Sequence, residues 1–328
     1  MSKILVTGGA GYIGSFMVRE LQKKGFEPVI LDNLSQGHAE AVKDFRLEKI
    51  DLVSEKEKLD ALFTSEKFDG VIHMASFIQM GESYKDPAKY YLNNVYGFMN
   101  LLDSMRKGSV NKIIISSSAG VYGNPVKLPV EEDDPKNPLN PYGETKYILE
   151  RMLEDYDAAY NFKFISIRYF NAAGAALDGS IGEDHLEESH LIPNIIKKAL
   201  DGEEIEIFGN DYQTADGTNI RDYVHVLDLT EAHSIAMQKL LDGGNSNYYN
   251  AGSGRGYSNK EILDAVKNVI GAELNVNYVP RRPGDADALY ASIEKIKNDF
   301  SWTPKYGLKE IVESAYVWHK NHPQGYNS

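Results

Sequence analysis

Cysteine is absent from the 328-residue chain, which excludes a disulfide framework, a thiolate nucleophile and a zinc–thiolate site. Basic residues are scarce, since 35 Lys and Arg face 48 Asp and Glu and leave a formal net charge of −13. That balance excludes the basic surfaces that grip nucleic acid or anionic membranes. No apolar run approaches the roughly eighteen residues of a membrane span. The N-terminus shows no cleavable apolar segment, because the first strand-like run starts at residue 3. The expectation is a cytoplasmic protein without nucleic-acid or membrane partners. What remains is ample: 42% hydrophobic residues suit a globular chain of one large or two modest domains.

The first strong motif is Thr7-Gly8-Gly9-Ala10-Gly11-Tyr12-Ile13-Gly14, directly after the apolar run Ile4-Leu5-Val6. Glycines at 8, 11 and 14 allow a tight turn, a close backbone approach to a pyrophosphate, and packing of the next helix on the sheet. A second apolar run, Val29-Ile30-Leu31, ends in Asp32, eighteen residues after Gly14 (32 − 14), near where a ribose-binding carboxylate is expected. A carboxylate there accepts from ribose hydroxyls and repels a 2′-phosphate, which favours NAD over NADP. The alternative is an aspartate that merely caps its own turn.

Short β-branched runs alternate with helical stretches: Lys3–Thr7, Pro28–Leu31, Phe45–Ile50, Gly70–His73, Lys112–Ser116 and Phe164–Arg168, with helical patterns at Phe16–Lys24 and Pro87–Arg106 between them. This rhythm predicts an α/β fold with a doubly wound parallel sheet. Beyond about residue 175 the pattern breaks. The expectation is a dinucleotide domain over 1–175, rejoined by roughly 222–254 through the helical Val226–Leu241 and the run Asn247–Asn250. A smaller, discontinuous, mixed α/β substrate domain occupies 176–328.

Ser116-Ser117-Ser118 ends a predicted strand, and Tyr142 and Lys146 open a predicted helix with Asn140 as N-cap and Pro141 at the first position. The four-residue spacing puts tyrosine and lysine on one face. An ammonium beside a phenol favours the phenolate, making Tyr142 a usable base. A second Tyr-x-x-x-Lys, Tyr316 and Lys320, lacks the glycine loop and serine-tipped strand and reads as a helix-face pair.

Taken with Gly81-Glu82-Ser83, Tyr90–Val95, Ser116–Gly123, Arg168–Asn171, Phe208–Tyr212, Asp216–Thr218, Arg221–Val226, Arg281–Asp285 and His322–Tyr326, these motifs resemble the extended short-chain dehydrogenase/reductase superfamily. Within it the chain is similar, almost end to end, to the UDP-galactose 4-epimerase (UDP-glucose 4-epimerase) family. The resemblance implies a Rossmann domain holding NAD, a UDP-hexose substrate epimerised at C4 through a 4-keto sugar, and a homodimer joined around Tyr90–Met105 and Tyr142–Tyr160. It makes Tyr142 the base at the 4-hydroxyl, Lys146 the residue that holds the cofactor ribose and tunes Tyr142, and Ser118 a proton relay. Gly8, Gly11, Tyr12, Ile13, Gly14, Asp32, Asn33, Asp51, Leu52, Met74, Ala75, Ser76, Asn94, Ser116 and Tyr169 line the implied cofactor site. Asn171, His190, Leu191, Phe208, Arg221, Arg282, Asp285 and Leu289 fall where the family meets the sugar nucleotide.

Bland readings stand beside these. Arg221 and Asp222 can form an ordinary salt bridge, and Arg281-Arg282 a solvated loop. The run Glu183–His190 holds enough carboxylates and imidazoles to suggest a metal site, but such acidic runs are usually solvated, and no metal is expected. His73 and His225 read as structural. The chain departs from the family at Ile78-Gln79-Met80, where some members carry a lysine, and at Leu289, where members restricted to non-acetylated hexoses carry tyrosine. A sugar-nucleotide 4,6-dehydratase is disfavoured because Ser118-Ala119-Gly120-Val121 lacks its Asp-Glu pair. A non-catalytic NAD-sensing protein has no need for Ser118, Tyr142 and Lys146 together.

Overall fold

The computed structural model describes residues 1–282 and 285–327, so Pro283 and Gly284 of the Arg281–Asp285 motif lie outside the described residues. In chain order the principal elements are β1 (Lys3–Thr7), α1 (Tyr12–Lys23), β2 (Glu27–Asp32), β3 (Leu47–Lys49), α2 (Lys56–Ser65), β4 (Gly70–His73), α3 (Met80–Lys85), α4 (Pro87–Tyr90), α5 (Gly97–Lys107), β5 (Lys112–Ser118), α6 (Pro141–Tyr160), β6 (Lys163–Tyr169), β7 (Asn171–Ala173), α7 (Leu191–Asp201), β8 (Ile205–Phe208), β9 (Ile220–Arg221), β10 (Tyr223–His225), α8 (Val226–Leu241), β11 (Asn247–Ala251), β12 (Tyr257–Ser258), α9 (Asn259–Ile270), β13 (Val276–Val279), β14 (Ala288–Leu289), α10 (Glu294–Phe300) and α11 (Leu308–Asn321).

Two compact units emerge. The first comprises Met1–Gly123, Pro135–Arg168 and Thr230–Tyr249; the second comprises Asn124–Asp134, Tyr169–Leu229 and Asn250–Ser328. The division falls after Arg168 rather than near residue 175, and Asn124–Asp134 joins the second unit because its backbone pairs there: Val130 N donates to Tyr290 O and Ser292 N to Val130 O.

The first unit is built on a seven-stranded sheet of order β11-β6-β5-β4-β1-β2-β3. The pairings β1–β2, β1–β4, β2–β3 and β4–β5 are parallel. Its strands read as continuous apolar runs because helices cover both faces: Ile4, Leu5, Val6, Ile30, Ile72 and Ile113 are fully buried. The strand order reverses between β1 and β4. That point opens a crevice beyond the carboxyl ends of the strands, where ligands of such folds bind. The pattern at Pro87–Arg106 is helical throughout, with a π-turn at Tyr91–Tyr96 between α4 and α5.

The second unit has a core of Ile192, Ile195, Ile196, Ile207, Ile262, Val266, Ile311 and Val312 among others, gathered by α7, α9 and α11. Its strands pair as β10–β7, β12–β9–β14 and β13–β8. No described helix is long and apolar enough to cross a membrane.

Candidate active site

A pocket in the first unit is lined by Gly8, Gly11, Leu31, Asp32, Asn33, Ser35, Gln36, Gly37, Ile50, Leu52, Met74, Ala75, Ser76, Phe77 and Asn93. It lies where β1, β2 and β4 end, since Gly8 N donates to Leu31 O and Met74 N to Thr7 O. Gly8 has φ +70°, and an added Cβ would sit 2.6 Å from Ala75 N. A Cβ on Gly14 would lie 2.1 Å from Gly8 O, so this glycine permits α1 to approach the loop. A Cβ on Gly11 would meet nothing closer than Gly8 O at 3.4 Å; the protein alone tolerates one, and only an occupant of the pocket would forbid it. Tyr12, Ile13 and Gly14 form the first turn of α1, which has neither a side-chain cap nor an acidic residue there. Such a start suits an anion.

Asp32 makes the turn-capping contacts anticipated for it. Its Oδ1 accepts from Leu34 N at 2.8 Å and its Oδ2 from Ala10 N at 3.0 Å, so it caps its own turn and anchors the glycine loop while lining the pocket. Burial pushes its carboxyl up from the ordinary value, with the two amide donors opposing. Asn33 donates to Asp51 Oδ2 at 2.6 Å, while Asp51 is otherwise engaged by Val53 N and Ser54 N; Leu52, not Asp51, lines the pocket. Asn94 is fully buried, bonded to Phe77 and Thr145. It therefore fixes the Phe77 backbone rather than lining the pocket, where Asn93 lies instead. Tyr169 ends β6 and counts with the second unit.

Asn140 caps α6 by accepting from Gly143 N at 2.8 Å, and Pro141 begins the helix. The helix start packs closely on the turn Ala119–Val121, because a Cβ on Gly143 would lie 2.7 Å from Gly120 O. This packing brings Ser118 close enough to the Tyr142 phenol to favour its ionised form. Lys146 Nζ donates to Ser76 Oγ at 2.7 Å and to Ser116 O at 2.8 Å. It thereby connects β4, β5 and α6. Ser116 Oγ lies 3.5 Å from His233 Nε2.

The expected coupling of lysine to phenol takes a different form. Lys146 Nζ is 5.9 Å from the Tyr142 ring centre, and burial pushes the phenol up while Ser118 pulls it down. The amine is brought down by desolvation to about 7. Two buried groups with neutral partners both favour their uncharged forms. Tyr316 and Lys320 are a helix-face pair on α11, with the ammonium 5.4 Å from the ring centre.

In the second unit, Asn171 Nδ2 donates to Asp222 O at 2.8 Å. Arg221 does not pair with Asp222: its Nη1 donates to Ile220 O and Ala286 O, and its Nη2 lies 3.5 Å from Asp285 Oδ1. The Asp222 carboxylate is buried and accepts from Ser253 and Ala291 N. Arg282 stacks over Phe208, 4.0 Å from the ring centre, and Arg281 faces Asp211 and Asp287; both arginines are exposed and lie outside helix and strand. Leu289 pairs with Arg221 across β14 and β9 and is half-buried. Leu191 opens α7 behind His190. His190 Nδ1 meets Glu183 Oε1; within the Glu183–His190 run Leu186, Glu187 and Ser189 are exposed as expected, while Glu183 is buried. His73 and His225 are internal: Thr7 Oγ1 lies 2.7 Å from His73 Nδ1, and Ser314 Oγ lies 3.2 Å from His225 Nε2.

Residues 4–252 match the NAD dependent epimerase/dehydratase family. The UDP-glucose 4-epimerase of Halalkalibacterium halodurans is 47% identical over 99% of this chain and 98% of its own length. A crystal structure of UDP-glucose 4-epimerase from Brucella ovis in complex with NAD aligns with TM-score 0.94 at 41% identity, covering 96% of this chain and 98% of that one. The structure of the UDP-Glc/GlcNAc 4-epimerase from Campylobacter jejuni aligns with TM-score 0.86 at 41% identity, covering 98% and 100%. Glycine loop, Asp32, serine-tipped strand and Tyr142–Lys146 helix thus belong to a chain that is a member of the NAD-dependent epimerase/dehydratase family and, within it, of the UDP-glucose 4-epimerases.

Proposed function

We propose that this chain is a UDP-glucose 4-epimerase that interconverts UDP-galactose and UDP-glucose with NAD held in the pocket of the first unit. The observation that carries the reading is the packing of Gly143 on Gly120, which sets Ser118 against the Tyr142 phenol on a unit that also holds the glycine loop. The pocket fits the cofactor on its own geometry: an uncapped helix start for the pyrophosphate, Gly11 where the protein itself needs no glycine, and Asp32 for the adenosine ribose. Gly8, Gly11, Tyr12, Ile13 and Gly14 would hold the phosphates, Asp32, Asn33, Asp51 and Leu52 the adenosine end, and Met74, Ala75, Ser76, Asn94, Ser116, Lys146 and Tyr169 the remainder.

NAD bound there supplies a reversible hydride acceptor for sugar C4 and, when oxidised, a positive charge. Tyr142 takes the proton of the 4-hydroxyl and returns it, and Ser118 hydrogen-bonds the phenol and relays that proton. Lys146 positions the site through Ser76 and Ser116. In the second unit, Asn171, His190, Leu191, Phe208, Arg221, Arg282 and Asp285 take the sugar nucleotide, guanidinium groups suiting its phosphates. Exposed Tyr91, Leu92, Tyr96, Met99 and Tyr160 support a homodimer through the first unit's helices. Galactose metabolism in the cytoplasm follows from this reading.

The test is turnover of a panel of UDP-hexoses by purified protein without added cofactor. Interconversion of UDP-galactose and UDP-glucose with bound NAD is expected, and strict dependence on added NADP overturns the reading. A second reading, action on UDP-N-acetylhexosamines, is favoured by Leu289, which leaves more room than a tyrosine and lacks its hydroxyl. Tyr290 faces the other side of the chain, as successive residues in a strand do, and its ring sits by Gly256, where an added Cβ would lie 3.1 Å away. Leu289→Tyr should lower kcat/KM for UDP-N-acetylglucosamine relative to UDP-glucose. An unchanged ratio removes Leu289 as the gate.

A further inference from the structure

Ahead of α7, Glu183, His185, Glu188 and His190 bring one ligand atom each within 4.8 Å of one another. The cluster is interior: the side chains of Glu183 and Glu188 keep only 4% and 7% of their surface exposed. Both imidazoles turn Nδ1 toward the same oxygen, Glu183 Oε1, His185 at 3.3 Å and His190 in direct contact. Glu188 Oε1 lies 3.6 Å from the first nitrogen and 3.8 Å from the second. Four ligands arranged tetrahedrally at the distances usual for zinc stand about 3.3–3.6 Å apart. The set needs only small movements to match.

Glu188 Oε2 is buried with no hydrogen-bond partner, and the cation nearest it, Lys197 Nζ, is 3.9 Å away. The segment carrying the ligands is held by distant parts of the chain. Trp318 Nε1 donates to Glu183 O at 3.0 Å, Tyr326 N to Asp184 Oδ2 at 3.0 Å and Tyr326 OH to Gly182 O at 3.2 Å. A Cβ on Gly182 would lie 2.3 Å from the Trp318 ring. The ligands are therefore ordered by the fold before any ion arrives. His190, with 39% of its side chain exposed, marks the side from which an ion reaches them.

We propose that Glu183, His185, Glu188 and His190 form a four-ligand site for a divalent cation of the zinc class. Two imidazoles select such an ion over magnesium or calcium, which take oxygen ligands. Two carboxylates and two neutral imidazoles around a divalent ion leave no net charge to bury. Four protein ligands close the coordination sphere, as in structural sites. The ion clamps the segment that ends at His190, the N-cap of α7.

The test uses the untagged full-length protein, purified with its cofactor, stripped with EDTA and re-equilibrated with zinc, magnesium or calcium. One zinc per chain by mass spectrometry after gel filtration is expected, with a rise in Tm that neither magnesium nor calcium produces. Cobalt in place of zinc should give the intense visible bands of four-coordinate geometry. Glu188→Gln and His185→Asn should each lose the bound zinc and the zinc-dependent rise while retaining epimerase turnover. If wild type retains no stoichiometric zinc, or if either folded variant retains it as wild type does, the site is not there. Failure of epimerase activity with zinc still bound would bear on the preceding reading and not on this one.

Discussion

At the scale of single residues, the chemistry turns on which of two identical spacings is used. Tyr142 is buried beside Ser118, whereas Tyr316 packs along α11 with Lys320. Tyr142→Phe removes one hydroxyl and should cut turnover by roughly 10²–10⁴-fold, the usual worth of a general acid–base group, with unchanged circular dichroism. Tyr316→Phe should stay near wild type, and the opposite outcome would transfer the role. Lys146 makes a second prediction. Its amine is brought by burial from 10.5 to about 7, so below pH 7 both folded and unfolded chains carry the proton and the fold bears the full cost of burying it. Between those two values the unfolded chain keeps a proton that the folded chain has lost, and stability rises with pH. In urea unfolding of the cofactor-free protein, wild type should gain on Lys146→Met across that window. Parallel curves would mean that the amine is solvated. The residues of the loop and the Tyr142 helix were legible because their spacing is local. Ser35, Gln36, Gly37, Phe77 and Asn93 were not: what brings them to the pocket is the parallel pairing of β1 with β2 and β4, which spacing along the chain does not reveal.

Among the elements, β5, β6 and α6 are joined by one buried carboxylate. Glu150 accepts from Ser117 Oγ, Ser166 Oγ and Arg168 Nε through one oxygen, and from Arg168 Nη2 at 2.7 Å through the other. Arg168→Met leaves that charge unpaired in the interior, which should cost about 3–5 kcal/mol, read as a fall in the urea midpoint. A loss within about 0.5 kcal/mol, ordinary for a surface site, would show that the ion pair does not hold these elements together. The strands of the first unit were legible to within a few residues, since buried parallel strands write themselves as unbroken β-branched runs. The π-turn at Tyr91–Tyr96 inside Pro87–Arg106 was not, because no glycine or proline lies within it. Nor was the shielding of the Glu183 and Glu188 side chains: acidic residues gave the run the pattern of a solvated face, and Trp318 and Tyr326, which hold it, lie more than a hundred residues downstream.

For the molecule as a whole, the α/β class and the seven-stranded sheet could be anticipated from alternation alone, but the path of the chain could not. It passes from one unit to the other after Gly123, Asp134, Arg168, Leu229 and Tyr249, because β11 and most of α8 belong with elements formed much earlier. Synthesis runs in one direction, so the first unit is not finished when its cofactor loop, its serine strand and its tyrosine helix have all been made. The β6 edge waits for β11, the outermost strand on that side, and an uncovered edge offers its backbone to any strand that meets it. Until Asn247–Ala251 has emerged from the ribosome, the growing chain carries a nearly complete nucleotide fold with an open border, and during that interval the edge is exposed to pairing with other nascent copies.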